Sequence, residues 1–406
     1  MRCMASIDPV RLIRHLQELR QFGAEGNGVV RPSLSDVDLD SRRWLVTRME
    51  AAGLAASIDG VGNVVGSSRN SGPAMLLGSH TDTQPEGGWL DGAMGVMHAL
   101  EVATALAEDP ETSHLAVDVV SWCDEEGTYA SMLGSRSFVG GFDDAEFASA
   151  NADGETLSAA LDRAGLLNTP RISLEPGRYR GYMETHIEQG PVLDDEGLRI
   201  GVVTGIVGIR ALLIEFTGQQ NHAGTTPMAR RKDAVTAFVR WAAALNDQMP
   251  NVAGPTSVWT IANVEVSPGA QSIVPGRVTA QLQFRDPEEQ TLDAMEDFIV
   301  ELCGQHDGDV GVRAESFGAS AVAQPMDPEM RRSLTAAAEA VVPGVWKEMA
   351  SAAGHDAQVI APELASGMLF IPSIGGISHD FAEDSTHDDI VLGAQVLLRA
   401  CVDILA

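Results

Sequence analysis

Residues 74–82 read AMLLGSHTD, a short apolar run that ends in a histidine and an aspartate. The run shows no polar alternation, which is typical of a strand buried on both faces in a parallel sheet. Residues 92–107 then have helical periodicity, and residues 115–122 form a second apolar run that leads into three acids. This strand–helix–strand order predicts a sheet covered by helices, with functional groups just past the strand ends.

The pattern of the sequence changes near residue 205. Residues 211–218 and 278–285 alternate apolar and polar side chains, as half-exposed antiparallel strands do. Two helices, at residues 233–248 and 292–303, and two further strands, at residues 257–266 and 310–316, are predicted around them. Another apolar run, residues 368–371, returns to the first pattern.

We therefore predict an α/β fold in which one domain interrupts another. The main domain, residues 1–205 and 322–406, has a helix-covered mixed sheet, and residues 206–321 form a smaller α+β domain. The length of 406 residues also favours two domains, since it exceeds what a single hydrophobic core usually serves.

Composition excludes several classes of protein. A formal net charge of −30 repels nucleic acid and anionic membranes, so neither is an expected partner. No apolar stretch approaches the ~20 residues of a membrane span, and the N-terminus reads as an amphipathic helix from Asp8-Pro9, which favours a cytoplasmic protein. The four cysteines show no CxxC spacing, which argues against a disulfide framework or a thiolate zinc site: Cys3, Cys123, Cys303 and Cys401.

Two acids near His80 are candidates for a metal site. In an extended segment His80 and Asp82 point to the same side, where a carboxylate can orient an imidazole beside a metal. Asp91 lies next to a glycine at the predicted start of a helix. It is either a helix N-cap or a carboxylate that bridges two cations.

Further candidates follow later strands. The acids at residues 124–126 are either a solvated surface or a metal ligand beside a general base. His186 lies among acids, and His379 lies in a glycine-rich loop after an apolar run. Each has a structural alternative, but three histidines and two carboxylates together suit a pair of divalent metal ions.

The order of these motifs resembles a known family. GSHTDT, GGWLDGAMGV, DEEG, ETHIEQGPVL, NHAGTTPM, GHDA and GISHD occur in this order over most of the chain. They are similar to the aminoacylase/carboxypeptidase-like dinuclear metallohydrolases. Within these they resemble the hydantoinase/carbamoylase branch of N-carbamoyl-L-amino-acid hydrolases, allantoate amidohydrolases and β-ureidopropionases. HIEQGPVL and NHAGTTPM are specific to that branch, whereas HxD and EEG alone are not.

The resemblance implies a centre for two divalent ions of manganese, zinc, cobalt or nickel. It assigns five ligands: His80 and His186 on one ion, Glu126 and His379 on the other, and Asp91 between them. Glu125 would be the general base that activates water, and Asp82 would lie behind His80.

The resemblance also implies the contacts to substrate. The smaller domain, residues 206–321, would be a lid that dimerises, and its His222 would reach an active site of the homodimer across the interface to stabilise the oxyanion. Arg285 would grip the carboxylate of a small substrate. Gln189 and Gly354 occupy positions expected near the substrate.

Departures from the family pattern leave the substrate open. Ser272 replaces the asparagine that usually helps to hold the substrate, Gln283 replaces an aspartate before Arg285, and residues 128–131 differ from the common pattern. We expect hydrolysis of the carbamoyl C–N bond of an N-carbamoyl-L-amino acid. The alternatives are allantoate or another ureido acid, an N-acyl amino acid or dipeptide, and a non-catalytic binding protein on the same scaffold.

Overall fold

The computed structural model describes residues 5–318 and 320–406, so Cys3 lies outside the described part of the chain. The described residues form two compact units, one from residues up to 204 together with 325–406, the other from residues 205–324. The predicted borders, at residues 205 and 322, lie within three residues of the borders of these compact units. The catalytic and lid roles of the two units stay predictions.

The first segment contributes six helices and eight strands. The helices are α1 (Pro9–Arg20), α2 (Asp36–Ala51), α3 (Ala93–Glu108), α4 (Leu133–Phe138), α5 (Leu157–Arg163) and α6 (Val192–Glu196). The strands are β1 (Ala24–Glu25), β2 (Gly28–Val29), β3 (Ala55–Ile58), β4 (Val64–Ser67), β5 (Ala74–His80), β6 (Val117–Trp122), β7 (Tyr179–Ile187) and β8 (Ile200–Ile206).

The inserted unit and the last segment contain the remaining elements. The insert has β9 (Gly208–Thr217), β10 (Asn221–His222), α7 (Ala234–Gln248), β11 (Val258–Ser267), β12 (Ile273–Val274), β13 (Arg277–Asp286), α8 (Glu289–His306) and β14 (Gly311–Ser316). They are followed by β15 (Gln324–Pro325), α9 (Pro328–Val341), β16 (Trp346–Ser351), α10 (Asp356–Ile360), β17 (Ser366–Ile371) and α11 (His387–Leu405).

A mixed nine-stranded sheet organises the main unit, in the order β15-β8-β17-β7-β5-β6-β4-β3 with β16 paired to β8. The central strands β17, β7, β5 and β6 are parallel, and β4 and β8 add to them antiparallel. The apolar runs predicted as strands form β5, β6 and β17, and every residue of these strands is buried. The predicted α/β class with a helix-covered mixed sheet is therefore confirmed.

Helix α3 packs unusually close to this sheet. Almost all of its residues are buried, and Gly95 faces the carbonyl oxygen of Thr185 on β7. A Cβ at Gly95 would lie 2.3 Å from that oxygen, so only glycine permits this approach. The helix thereby brings its own N-terminus to the carboxyl ends of β5 and β7.

The inserted unit has its own hydrophobic core. Its four-stranded antiparallel sheet has the order β11-β13-β9-β14. Helices α7 and α8 supply Trp241, Leu292 and Ile299 to a core that also contains Phe216 and Phe284 from the sheet. The alternation of buried and half-buried residues along β13 is the pattern from which this strand was predicted.

The described helices, in residues 5–318 and 320–406, include none with the length and apolar character that a membrane crossing requires. The described cysteines, Cys123, Cys303 and Cys401, are buried free thiols.

Candidate metal centre

The candidate ligands gather at one edge of the parallel strands. His80 is the last residue of β5, the acids at 124–126 directly follow β6, and His186 lies at the end of β7. His379 lies in the loop after β17. Since these four strands are parallel, their carboxyl ends meet at the same edge of the sheet.

Asp91 lies at the centre of this cluster and is only 3% exposed. Its Oδ1 is 3.1 Å from His186 Nε2 and 3.7 Å from His80 Nε2. Its Oδ2 is 3.2 Å from His379 Nε2. The two oxygens of one carboxylate therefore face different histidines, which is the arrangement that a bridging ligand needs.

Two overlapping sets of ligand atoms result, and within each set the atoms lie within 4.8 Å of one another. The buried group is His80, Asp91 and His186, and the outer group is Asp91, Glu126 and His379. In the outer group Glu126 Oε1 lies 3.9 Å from His379 Nε2. Among the described residues this buried oxygen has no hydrogen-bond partner, which is unfavourable unless a cation is bound. Imidazole nitrogens and carboxylates fit borderline divalent metals.

Backbone carbonyls fix the two buried histidines. His80 Nδ1 donates to the carbonyl of Asp82 at 3.0 Å, and His186 Nδ1 donates to that of Ile187 at 2.9 Å. A carbonyl can only accept, so each Nδ1 carries a proton, and each Nε2, which lies nearest Asp91, is the nitrogen left for a metal ion.

The Asp82 side chain lies behind His80 but makes no hydrogen bond to it. Its carboxylate Oδ1 is 3.9 Å from His80 Nδ1, so the main-chain carbonyl, and not the carboxylate, orients the ring. The carboxylate instead accepts a hydrogen bond from Glu126 N at 3.2 Å and lies 3.9 Å from Arg42 Nη2. The two-residue spacing correctly indicates proximity, but it cannot tell which oxygen makes the bond.

Burial and like charges perturb the acids of the site. Burial raises the pKa of Glu125 well above its usual range, and Glu126, Asp356 and Asp91 add repulsion. Burial and the charge of Asp91 raise the pKa of Glu126 to about 7. Such crowding favours a bound cation or a proton.

Two histidines of the site have raised pKa values. The hydrogen bond to Asp91 raises the pKa of His379 to about 9. Burial lowers the pKa of His186, but its hydrogen bond to Asp91 outweighs this and raises the pKa to about 9. A metal ion that takes the place of these protons would release them, so metal binding here is expected to weaken at low pH.

Glu125 lies beside the ligands without belonging to either group. Its Oε2 is 3.7 Å from His80 Nε2, and the residue is 8% exposed. The alternative that the acids at 124–126 are a solvated surface is wrong, because Asp124 is fully buried as well. Asp124 accepts hydrogen bonds from the amides of residues 128–130 and so shapes the turn that carries Glu125 and Glu126.

The helix-capping alternative for Asp91 is also wrong. The N-cap of α3 is Gly92, and no side chain caps this helix. Gly92 has φ of 60°, and a Cβ there would lie 2.4 Å from His80 Nε2. Glycine is therefore required for the backbone conformation and for the space around the ligand atom.

Gln189 contacts two residues of the outer group. Its Nε2 donates to Asp91 Oδ2 at 3.1 Å and lies 3.3 Å from His379 Nε2. Gln189 and His379 both have a left-handed backbone, with φ of 57° and 53°. Non-glycine residues in this conformation are strained and concentrate at functional sites. Gly354 directly precedes His355, whose ring centroid lies 4.6 Å from that of His186, and a Cβ at Gly354 would be 3.3 Å from Met132 Cε.

The other predicted residues belong to the inserted unit. His222 is exposed, and its Nδ1 accepts hydrogen bonds from Gly224 N at 3.0 Å and Thr225 N at 3.2 Å. Its proton therefore lies on Nε2, which makes the ring an N–H donor toward solvent. Ser272 is close by, since its carbonyl accepts from Ala223 N at 2.9 Å.

Arg285 does not lie with His222 and Ser272. It is half-buried near the end of β13, opposite Val258 on β11 and Ile209 on β9. His222 is paired with Ile273, before the other end of β13. The structure therefore brings His222 and Ser272 together and places Arg285 toward the opposite end of the sheet.

Glu383 is a site residue that sequence reasoning missed. It accepts hydrogen bonds from Asp91 N at 3.0 Å, Leu90 N at 3.2 Å and Ser378 Oγ at 2.8 Å. In the sequence it is one of several acids in a loop, and no spacing distinguishes it from Asp384. Gln84, whose Nε2 donates to Glu126 Oε2 at 2.6 Å, was missed for the same reason.

Histidines and carboxylates that converge past the ends of the parallel strands of an α/β unit are typical of metallohydrolases. The chain belongs to the peptidase family M20/M25/M40, whose family model matches residues 76–403. It is 35% identical to an N-carbamoyl-L-amino-acid amidohydrolase of Paenarthrobacter aurescens, over 96% of each chain. It is 33% identical to an allantoate amidohydrolase of Escherichia coli, over 93% of this chain and 94% of the relative.

A solved structure has a similar fold. The crystal structure of an amidase of the hydantoinase/carbamoylase family from Burkholderia phymatum matches with a TM-score of 0.95 and 48% identity. The match covers 100% of this chain and 99% of that one. The resemblance inferred from the sequence motifs is confirmed.

Proposed function

We propose that this protein hydrolyses the carbamoyl C–N bond of an N-carbamoyl-L-amino acid and yields the L-amino acid, ammonia and carbon dioxide. One observation carries the proposal: two sets of ligand atoms share Asp91, with the protonatable Glu125 directly beside them. The activity named for the relative from Paenarthrobacter aurescens supports the choice of bond.

The residues of the two groups would hold two divalent ions. His80 and His186 would bind one ion, Glu126 and His379 the other, and Asp91 both. Bound ions supply a Lewis acid and lower the pKa of water. Ligands of nitrogen and carboxylate oxygen accept manganese, zinc, cobalt or nickel, so the ligand set alone does not select among these.

Glu125 would act as the general base and acid. Its carboxylate would take a proton from the attacking water and later deliver one to the leaving nitrogen. A carboxyl whose pKa is raised by burial and neighbouring acids is suited to accept a proton near neutral pH.

The inserted unit would complete the site as a lid. Arg285 would bind the substrate carboxylate through its planar guanidinium, and His222 would donate from Nε2 to the oxyanion. The amides of Gly224 and Thr225 already hold His222 in the tautomer that such a donor requires. Gln189 and Gly354 would contact the substrate from the main unit, and Ser272 lies beside His222 where it could contact the same group.

The spacing of the lid residues supports a homodimer. Arg285 and His222 lie toward opposite ends of β13, and the stretch from Arg277 to Arg285 alone spans roughly 26 Å at ~3.3 Å per residue. One small substrate cannot reach across that distance, so if both residues act on it, one comes from a second copy of the chain. The exposed edge strand β11 offers a surface for such pairing.

Allantoate is the second candidate substrate. It also carries a ureido group and a carboxylate, and the relative from Escherichia coli is named for it. Ser272, which stands where the family pattern has asparagine, leaves the substrate choice open. Steady-state kinetics on N-carbamoyl-L-amino acids, allantoate and N-acetyl-L-amino acids, with manganese, cobalt, nickel or zinc added, ranks these substrates by kcat/KM. The highest value on an N-acetyl amino acid would overturn the proposal.

A further inference from the structure

Glu383 connects two segments that are distant in the sequence. It is 1% exposed, and its Oε1 accepts hydrogen bonds from the amides of Leu90 and Asp91 at 3.2 and 3.0 Å. Its Oε2 accepts from Ser378 Oγ at 2.8 Å, next to His379. One carboxylate thus holds both the backbone that presents Asp91 and the backbone that presents His379.

The packing around Glu383 leaves it little freedom. A Cβ at Gly88 would lie 1.8 Å from Glu383 Oε1, so the chain before Asp91 wraps closely around the carboxylate. A second link runs parallel to it, because Trp89 Nε1 donates to Asp384 Oδ1 at 3.3 Å. The loop after β17 is thereby fastened to the start of α3.

His379 depends on this fastening more than the other histidines do. His80 and His186 are buried, and each has its Nδ1 bonded to a carbonyl. The His379 side chain is 49% exposed, and its ring lies within 4 Å of polar atoms of Asp91, Gln189 and Glu126. The position of its backbone therefore largely determines where its Nε2 lies.

We propose that Glu383 is a positioning residue for the outer group: it sets the distance between Asp91 Oδ2 and His379 Nε2, and hence the affinity for the outer ion. The buried group keeps its own supports, so its ion is affected less. This inference rests on the proposed binding of two ions. Residues that orient metal ligands typically change metal affinity by ~10–100-fold when they are removed.

The test measures metal content and affinity, with calorimetry and elemental analysis, on the full chain. Glu383→Ala is expected to bind the second ion at least ~10-fold more weakly and to weaken binding of the first ion less, because Asp91 belongs to both groups. Glu383→Gln keeps an oxygen for the two amides and an N–H for Ser378, so it is expected to stay close to wild type. Glu363→Ala, an exposed acid in the same unit, is the matched control and keeps both affinities.

Ser378→Ala removes only the link to the His379 loop and remains informative if Glu383→Ala does not fold. It is expected to weaken the second ion alone. Two ions bound with wild-type affinities in either folded variant would overturn the role of Glu383, as would equal weakening of both ions. A wild-type chain that binds only one ion would instead contradict the proposed two-ion function, which separates the two failures.

Discussion

Glu125 differs from its neighbour Glu126 in what its side chain contacts, although the two are adjacent and both acidic. Glu126 belongs to the outer group with Asp91 and His379, whereas Glu125 faces His80 without joining either set. The same three-residue acidic turn therefore offers one candidate ligand and one candidate base. Their separate roles give a prediction for each side chain.

Glu125→Gln is expected to retain metal and substrate affinity and to lose at least ~10²-fold in kcat, because the amide cannot accept the proton of water. Glu126→Gln is the comparison and is expected to lose one metal ion. Metal analysis together with kcat and KM separates the two. Near-normal kcat in fully loaded Glu125→Gln would assign the base to another residue.

At this scale the sequence identified the gathered side chains but not their bonds. His80, Asp91, Glu126, His186 and His379 converge as the motif order indicated. The carbonyl of Asp82 that orients His80 could not be foreseen, because backbone acceptors carry no residue-type signal. Glu383 was missed for a related reason: its importance lies in two amides that are almost 300 positions away in the sequence.

At the scale of elements, the strands that could be predicted are those with a continuous apolar run or a regular apolar–polar alternation. A buried strand that contains polar residues could not be predicted. The apolar runs of β5, β6 and β17 and the alternation of β13 marked these strands correctly. Strand β7, in contrast, buries Glu184 and His186 in the middle of the sheet, where their neighbours satisfy them. Polar residues in a buried strand break the pattern from which strands are read.

Strand β11 lies at the edge of the inserted sheet and is largely exposed along its length. Val264 and Val266 are exposed there, so Val264→Lys is expected to shift the proposed dimer toward monomer, because a lysine on an edge strand opposes pairing. Light scattering across micromolar concentrations measures the shift. Val10→Lys, on the exposed side of α1, is the control and is expected to remain dimeric. A monomeric wild type would contradict the dimer itself.

At the scale of the whole molecule, the proposal makes two copies of the chain share each site. His222→Ala and Glu125→Gln should each be nearly inactive. If His222 acts on the site of the other copy, a hybrid dimer has one site with neither substitution and one site with both. Random exchange at equal amounts is then expected to restore about a quarter of wild-type activity. No recovery after verified exchange would place His222 in its own copy's site or outside catalysis.

The sequence predicts borders for the two units because the hydrophobic pattern changes along the chain, and each unit has its own hydrophobic core. How the two units cooperate was not readable, since hydrophobic patterns record burial within a domain and not the approach of side chains between domains. The sharing of a site by two copies therefore stays a prediction that solution experiments decide.

The most direct test of the central claim is a metal titration of the metal-free protein with an N-carbamoyl-L-amino acid as substrate, in which ammonia and free L-amino acid are both quantified. We predict no product without metal, activity that rises until two ions are bound per chain, and ammonia and amino acid in equal amounts. Equal rates before and after verified metal removal, or saturation with metal without any release of either product from ureido substrates, would contradict the account.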